Sequence, residues 1–82
     1  MQLNKNIAIS DSGFIFNPST GDSFSTNPVG LEIIRLLREN KKKDAIIKEL
    51  TGRFSIDDST AEKDLSDFLL VLRNYQLLND HE

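Results

Sequence analysis

The sequence predicts an α+β domain in which a three-stranded antiparallel meander precedes three helices, in a winged-helix-like arrangement. Residues 7–26 hold three short segments of strand-forming residues that are separated by turn residues. Residues 28–75 hold three segments whose apolar residues recur with the period of a helix. Strands that are grouped before helices, instead of alternating with them, are typical of the α+β class.

Three strands are predicted in the N-terminal part of the chain, over residues 7–10, 13–17 and 22–26. Turn-forming residues separate them, Asp-Ser-Gly at 11–13 and Pro-Ser-Thr-Gly at 18–21. Proline fixes one φ angle in such turns and glycine accepts a left-handed one. Because both connections are short, neighbouring strands are expected to pair antiparallel, which leaves the third strand at an edge of the sheet.

Three amphipathic segments are predicted to be helices: residues 28–39, 43–53 and 59–75. Asn27 and Pro28 mark the start of the first, because asparagine caps helices and proline at the first helical position lacks only an N–H that has no partner anyway. The second helix has no good N-cap. Ser59 and Glu62 have the spacing of a capping box, so the third helix is expected to begin at about Ser59.

The third predicted helix has two distinct faces. At about 100° per residue, five apolar residues fall within one third of its circumference and should face the core: Ala61, Leu65, Phe68, Leu69 and Leu72. A shoulder continuous with Phe68 combines acidic, apolar and aromatic side chains, namely Asp64, Val71 and Tyr75. Such a shoulder can be one wall of a groove, although an ordinary, partly buried helix edge carries the same kinds of residue.

Length and composition exclude several classes of protein. With 82 residues and a net charge of −3, the chain is expected to form one domain over residues 1–82, with an ordered core at about 7–78. The sequence has no apolar run long enough to span a membrane and no signal peptide at its start, so the expected location is the cytoplasm. It has no cysteine, a single histidine (His81, in the polar tail) and no P-loop, so we expect no cofactor, no metal ligands and no catalytic residues. The expected class is a non-enzyme.

Basic residues around the loop between the first two helices are the one feature that could recruit nucleic acid: Arg35, Arg38, Lys41, Lys42, Lys43 and Lys48. Acidic residues are interspersed among them, and the third helix has the wrong sign for docking on phosphates. Nucleic acid is therefore not the expected partner, and DNA binding through residues 35–48 is kept as the alternative function. A third possibility is an interaction domain whose exposed edge strand pairs with a second copy of the chain.

Three stretches follow each other in a recognisable order: FIFNPSTGDSFSTNPVGLEIIRLL at 14–37, IIKELTGRF at 46–54 and DLSDFLLVLRNYQLL at 64–78. Together they resemble the PqqD family, the peptide chaperones of pyrroloquinoline quinone biosynthesis and of related peptide-modification systems. The resemblance covers about residues 7–78. It rests on the N-P-x-T-G turn, on the Asn and Gly that lead into the first helix, and on D-L-x-x-F-L-x-x-L before a final L-L.

The resemblance implies a domain that binds the leader segment of a ribosomally made precursor peptide and presents it to a modifying enzyme, often a radical S-adenosylmethionine protein. In relatives the leader adds as a strand to the edge of the third strand and lies against the third helix. The implied peptide site combines the third predicted strand with the helix shoulder: Asp22, Ser23, Phe24, Ser25, Thr26, Asp64, Phe68, Val71 and Tyr75. The strand backbone would pair with the leader, and Phe24 should pack inward. The apolar and aromatic helix residues would offer pockets, and Asp64 would bind a basic leader residue.

Overall fold

The structure is a computed structural model that describes residues 2–79. The predicted polar tail beyond Asn79, with His81, lies outside the described residues. The described chain has eight elements, in this order: β1 (Gln2–Leu3), β2 (Ala8–Ile9), β3 (Phe14–Phe16), β4 (Ser23–Ser25), α1 (Pro28–Arg38), α2 (Lys43–Phe54), α3 (Asp58–Asn74) and β5 (Leu78–Asn79). The α+β class, with an antiparallel meander followed by three helices, is confirmed.

The predicted meander is a sheet with the strand order β2-β3-β4, so β4 forms an edge. Ile15 of β3 pairs with Phe24 of β4, and both side chains lie on the inner face. Phe14 and Phe16 point to the other face and are 47% and 37% exposed. The sheet therefore covers the core with one face and leaves the other open to solvent, as is common for antiparallel sheets.

The starts of the first two helices follow the prediction. The Asn27 side chain accepts a hydrogen bond from the Gly30 N–H at 2.8 Å and caps α1, with Pro28 as the first helical residue. The N-cap of α2 is Lys42, which makes no side-chain capping bond. A lysine has no acceptor to offer an N–H group, so this end of α2 depends on tertiary packing. Ile46 and Leu50 provide it, since both are fully buried.

The predicted start of the third helix was wrong by a small margin. Asp57, not Ser59, is the N-cap of α3, and its carboxylate accepts a hydrogen bond from the Thr60 N–H at 2.8 Å. Asp57 has extended backbone angles, whereas Ser59 already lies in the first helical turn. A carboxylate at the positive end of the helix dipole is favoured over a neutral hydroxyl, and the hydrogen bond to Thr60 lowers the pKa of Asp57.

The predictions did not include a second sheet, in which β1 pairs antiparallel with β5. Leu3 and Leu78 lie opposite each other in this pair, and both are buried. The Asn4 N–H also donates to the carbonyl of Leu77 at 2.7 Å. The packed part of the chain therefore reaches Leu3, beyond the expected limit at residue 7.

The core lies between the inner face of the three-stranded sheet, the β1–β5 pair and the three helices. Of the five residues predicted for the buried stripe of α3, four are buried and Phe68 is half-buried. Leu70 lies outside this stripe and is 56% exposed. None of the helices within residues 2–79 combines the length and the apolar character that crossing a membrane requires.

Candidate functional site

The hydrogen bonds between β3 and β4 decide which backbone groups of the edge strand are free. At one end the Asn17 N–H donates to the Asp22 carbonyl at 2.9 Å. At the other end the Thr26 N–H donates to the Gly13 carbonyl at 2.8 Å. Residues that face each other in an antiparallel pair alternate between bonded and non-bonded positions. By this alternation Phe24 exchanges its backbone bonds with β3.

The same alternation turns the backbone N–H and C=O groups of Ser23 and Ser25 outward, away from β3. No residue between 2 and 79 makes a hydrogen bond to these outward groups. The edge is therefore open over its whole length, and within residues 22–26 it offers two residues for pairing instead of five. The side chain of Phe24, which is half-buried, points to the inner face.

The shoulder of α3 lies beside the buried stripe, as predicted. Asp64, Phe68 and Tyr75 are half-buried, and Val71 is 37% exposed. The Cα atoms of β4 and α3 lie more than 8 Å apart throughout. Since paired strands lie about 4.8 Å apart, the backbone of α3 does not occupy the position of a strand paired with the outer edge of β4. We call the space between the β4 edge and this flank of α3 the groove.

One end of the groove is closed by aromatic side chains. The rings of Phe24 and Tyr75 stack with their centroids 4.6 Å apart and an angle of 21° between their planes. Tyr75 is the C-cap of α3, so this stack joins the edge strand to the end of the helix. The sequence predicted that both residues belong to the site, and the structure shows that they contact each other.

The other end of the groove is closed by the first turn of α1. A side chain at Gly30 would overlap the hydroxyl of Thr26 and lie 3.0 Å from the ring of Phe68. Only glycine lets the backbone of α1 come this close to both walls of the groove. The Asn and Gly that lead into the first helix thus have separate roles: Asn27 caps the helix, and Gly30 permits the close approach.

A cavity of about 210 Å³ opens between α1 and α3 at this end. Three of the predicted site residues line it, Asp64, Phe68 and Val71, and Val29 and Ile33 contribute from α1. By their helical spacing the two α1 residues read as ordinary core residues, so the sequence alone did not indicate this second role. The available signal was chain order, because α1 directly follows the edge strand and its first turn must lie near the groove.

The two acidic residues at this cavity differ in their partners. Asp67 pairs with Lys63 at 2.8 Å, and this hydrogen bond raises the pKa of the lysine. The carboxylate of Asp64 makes no hydrogen bond or ion pair with any other residue in the 2–79 range. The charge of Asp64 adds a smaller Coulombic contribution to the raised pKa of Lys63. The described residues contain no group of three or more His, Cys, Asp or Glu side chains that could hold a metal ion.

Two solved structures are similar to this chain over nearly its whole length. TbiB1 in complex with the TbiA(beta) leader peptide is 32% identical, with a TM-score of 0.86, covering 100% of this chain and 99% of that one. Lasso peptide synthetase B1 complexed with the leader peptide has a TM-score of 0.79 at 18% identity, covering 93% of each chain. The second similarity concerns the fold alone.

The sequence also matches a protein family. No curated protein matches the chain. The family described as coenzyme PQQ synthesis protein D (PqqD) matches residues 13–78. This range contains β3, β4, all three helices and every residue of the predicted site. The chain therefore belongs to the PqqD family, as its sequence motifs indicate.

Proposed function

We propose that this protein binds the leader segment of a ribosomally synthesised precursor peptide by strand addition to β4 and presents it to a modifying enzyme. The observation that carries the proposal is an unpaired strand edge beside α3, where the helix backbone leaves the position of a further paired strand unoccupied. Membership of the PqqD family supports it, as does the similarity to TbiB1, whose structure was solved with a leader peptide.

The geometry suggests how affinity and selectivity are divided. The outward N–H and C=O groups of Ser23 and Ser25 would bond to any extended backbone, whatever its sequence. Alternate side chains of the added strand would then point into the groove, toward Phe68 and Val71 on α3. The unpaired carboxylate of Asp64 would select a basic residue near the cavity.

In this proposal the protein is a binding partner and has no catalytic activity of its own. Its precursor is made on ribosomes, so we place the encounter in the cytoplasm. The family resemblance implies a radical S-adenosylmethionine protein as the modifying enzyme, with no cofactor held by this chain. Genes adjacent to that of this protein would identify the enzyme, because the precursor, the binding protein and the enzyme work together in one pathway.

A titration followed by nuclear magnetic resonance tests the proposal. The ligands are two leader probes: a synthetic TbiA(beta) leader peptide and the leader of the precursor encoded beside this protein's gene. Binding should shift the amide resonances of Ser23–Ser25 and of residues 64–75. A leader of the same composition in scrambled order is the control. Shifts confined to residues 35–48 would contradict the proposal.

Duplex DNA is the second ligand to test, because the basic residues at 35–48 are the alternative site. Arg35 is already engaged with Asp11 at 3.3 Å, and the basic residues lie outside the groove. We expect no binding at low salt. A measurable affinity that falls steeply as salt is added would favour the DNA-binding alternative.

A further inference from the structure

Asn17 is a buried polar residue that the site described above does not use. Its residue surface is 1% exposed, and it begins the turn between β3 and β4. Its backbone carbonyl accepts hydrogen bonds from the N–H groups of Thr20 and Gly21, and its side-chain oxygen accepts one from the Ser19 N–H at 3.0 Å. These are the local bonds of an Asx-type turn, and they use only half of the side-chain amide.

The other half of the amide reaches a distant part of the chain. Its Nδ2 donates a hydrogen bond of 3.3 Å to the backbone carbonyl of Tyr75, at the end of α3. The last carbonyls of a helix have no partner within the helix. After Tyr75 the chain turns through Gln76, at a φ of 60°, and the Leu77 N–H returns to the Leu72 carbonyl. The Tyr75 carbonyl is left for Asn17.

This bond joins the two walls of the groove at one end. Asn17 begins the turn that leads into β4, and Tyr75 ends α3 and stacks on Phe24 of β4. The Cα atoms of β4 and α3 lie more than 8 Å apart. The contacts that fix the two walls relative to each other here are therefore the hydrogen bond from Asn17 to Tyr75 and the ring stack. We propose that Asn17 is a positioning residue for leader binding, which sets the width of the groove by tying the β3–β4 turn to the end of α3. This inference rests on the proposed function.

The requirement for asparagine follows from hydrogen-bonding chemistry. One terminal oxygen must accept from Ser19 and one terminal nitrogen must donate to Tyr75. Aspartate has the same shape but no donor, so it would place a carboxylate oxygen against the Tyr75 carbonyl. Serine can serve the local turn through its hydroxyl but is too short to reach Tyr75. Both changes keep an oxygen that can accept from the Ser19 N–H, and both remove the hydrogen bond to the Tyr75 carbonyl.

The test compares Asn17→Asp and Asn17→Ser with a turn control, Gly21→Ala. Gly21 has a φ of 81° and open space around its Cβ position. Alanine there strains the turn but leaves the hydrogen bond between Asn17 and Tyr75 in place. The first measurement uses the protein alone and records nuclear Overhauser effects between the rings of Phe24 and Tyr75. They should weaken in both Asn17 variants and stay at the wild-type level in Gly21→Ala.

The second measurement is the dissociation constant for the two leader probes, by calorimetry on variants shown by thermal melts to be folded. We expect it to rise about tenfold in the Asn17 variants, which corresponds to the loss of one well-placed hydrogen bond. Gly21→Ala should bind like the wild type even where it melts earlier. If the Asn17 variants lose stability but keep both the ring contacts and the affinity, Asn17 is a turn residue only and the inference is wrong. If neither probe binds wild-type protein, the proposed function fails instead, whatever the ring contacts show.

Discussion

The two small sheets of this molecule differ in what their strands bury. β1 and β5 come from opposite ends of the described chain and pair with each other, and their facing leucines, Leu3 and Leu78, are buried. β4 pairs with β3 on one side only and carries exposed serines at its outer positions, Ser23 and Ser25. Each strand of the first pair also has one unpaired side, but its facing leucines belong to the core, whereas the outer edge of β4 is polar and exposed.

This difference separates what stabilises the fold from what binds. Apolar burial at β1 and β5 contributes to the free energy of unfolding, whereas the serine edge contributes almost no burial. An open edge normally carries a risk of pairing with further copies, and proteins limit that risk by keeping edge strands short and polar. β4 meets both conditions, with three residues of which two are serines. Changes in the two sheets should therefore affect different measurements.

The largest effect is expected from closing the open edge. Ser25→Pro removes an outward N–H and places a ring where the leader strand would lie, so leader affinity should fall about 100-fold. Thermal stability should change little, because that N–H does not face β3. Calorimetry with the two leader probes measures the affinity.

Ser25→Ala is the matched control for this change, since it removes the hydroxyl and keeps the backbone donor. It should bind within about twofold of the wild type, since exposed substitutions of this kind change free energies by less than about 0.5 kcal/mol. Equal weakening by alanine and proline would show that the serine side chain, and not the backbone, makes the contact.

The next effect concerns the β1–β5 pair. Leu3→Ala removes a buried side chain and should lower the free energy of unfolding by about 2 kcal/mol. This is near the lower limit for buried leucines, because β1 has only two residues and Leu3 keeps 8% of its surface exposed. Denaturant titration measures this change. Gln2→Ala, at the exposed neighbouring position, should be neutral. Leader affinity should be the same in both variants, and a parallel loss of affinity would show that the two sheets are coupled.

A smaller effect is expected where the edge strand meets the helix. Tyr75→Leu removes the ring stacked on Phe24 and should weaken both leader binding and folding by about 1 kcal/mol. Tyr75→Phe keeps the stack and removes only the hydroxyl, so it should behave as the wild type. Thermal melts and leader titrations on the two variants distinguish them. If Tyr75→Phe weakens leader binding and folding as much as Tyr75→Leu does, the hydroxyl and not the ring makes the important contact.

The smallest effect concerns α3, which borders both the β1–β5 pair and the groove. Because the pKa of Asp57 is lowered in the folded protein, its charged cap contributes stability that is fully present above its unfolded pKa of 3.8 and is lost as the pH falls through the folded value. Asp57→Asn keeps the cap and removes the titration. The difference in unfolding free energy between wild type and variant should therefore shrink below about pH 3.8. A difference that is constant with pH would contradict the assignment.

The helices and the meander were predictable because their signals are local. Leu65 and Leu72 share one face of any helix that contains them, and Asn27 with Pro28 marks a helix start wherever the rest of the chain lies. The start of α3 was misplaced because Asp57 and Ser59 are both good caps, and the choice between them depends on backbone angles that the sequence does not encode separately.

The features that were missed depend on contacts between residues far apart in the chain. β1 and β5 have two residues each, too few for any periodicity, and they pair across more than 70 residues. Val29 and Ile33 are ordinary core residues by pattern, and only the approach of α1 to α3 makes them part of the cavity. The turn at 18–21 was predicted, with Asn17 as the last residue of the strand before it. The hydrogen bond from Asn17 to Tyr75 was not predicted, because 58 residues separate them.

The short length of β4 has a consequence for how precursors can diversify. Three residues of strand span roughly 10 Å, so the ladder would hold only a short stretch of any precursor in place. Everything outside that stretch would be free to change in length and sequence without loss of recognition. A foreign peptide joined to the segment that pairs with β4 should therefore bind this domain as well as the natural precursor does. Such fusions would present new substrates to the modifying enzyme.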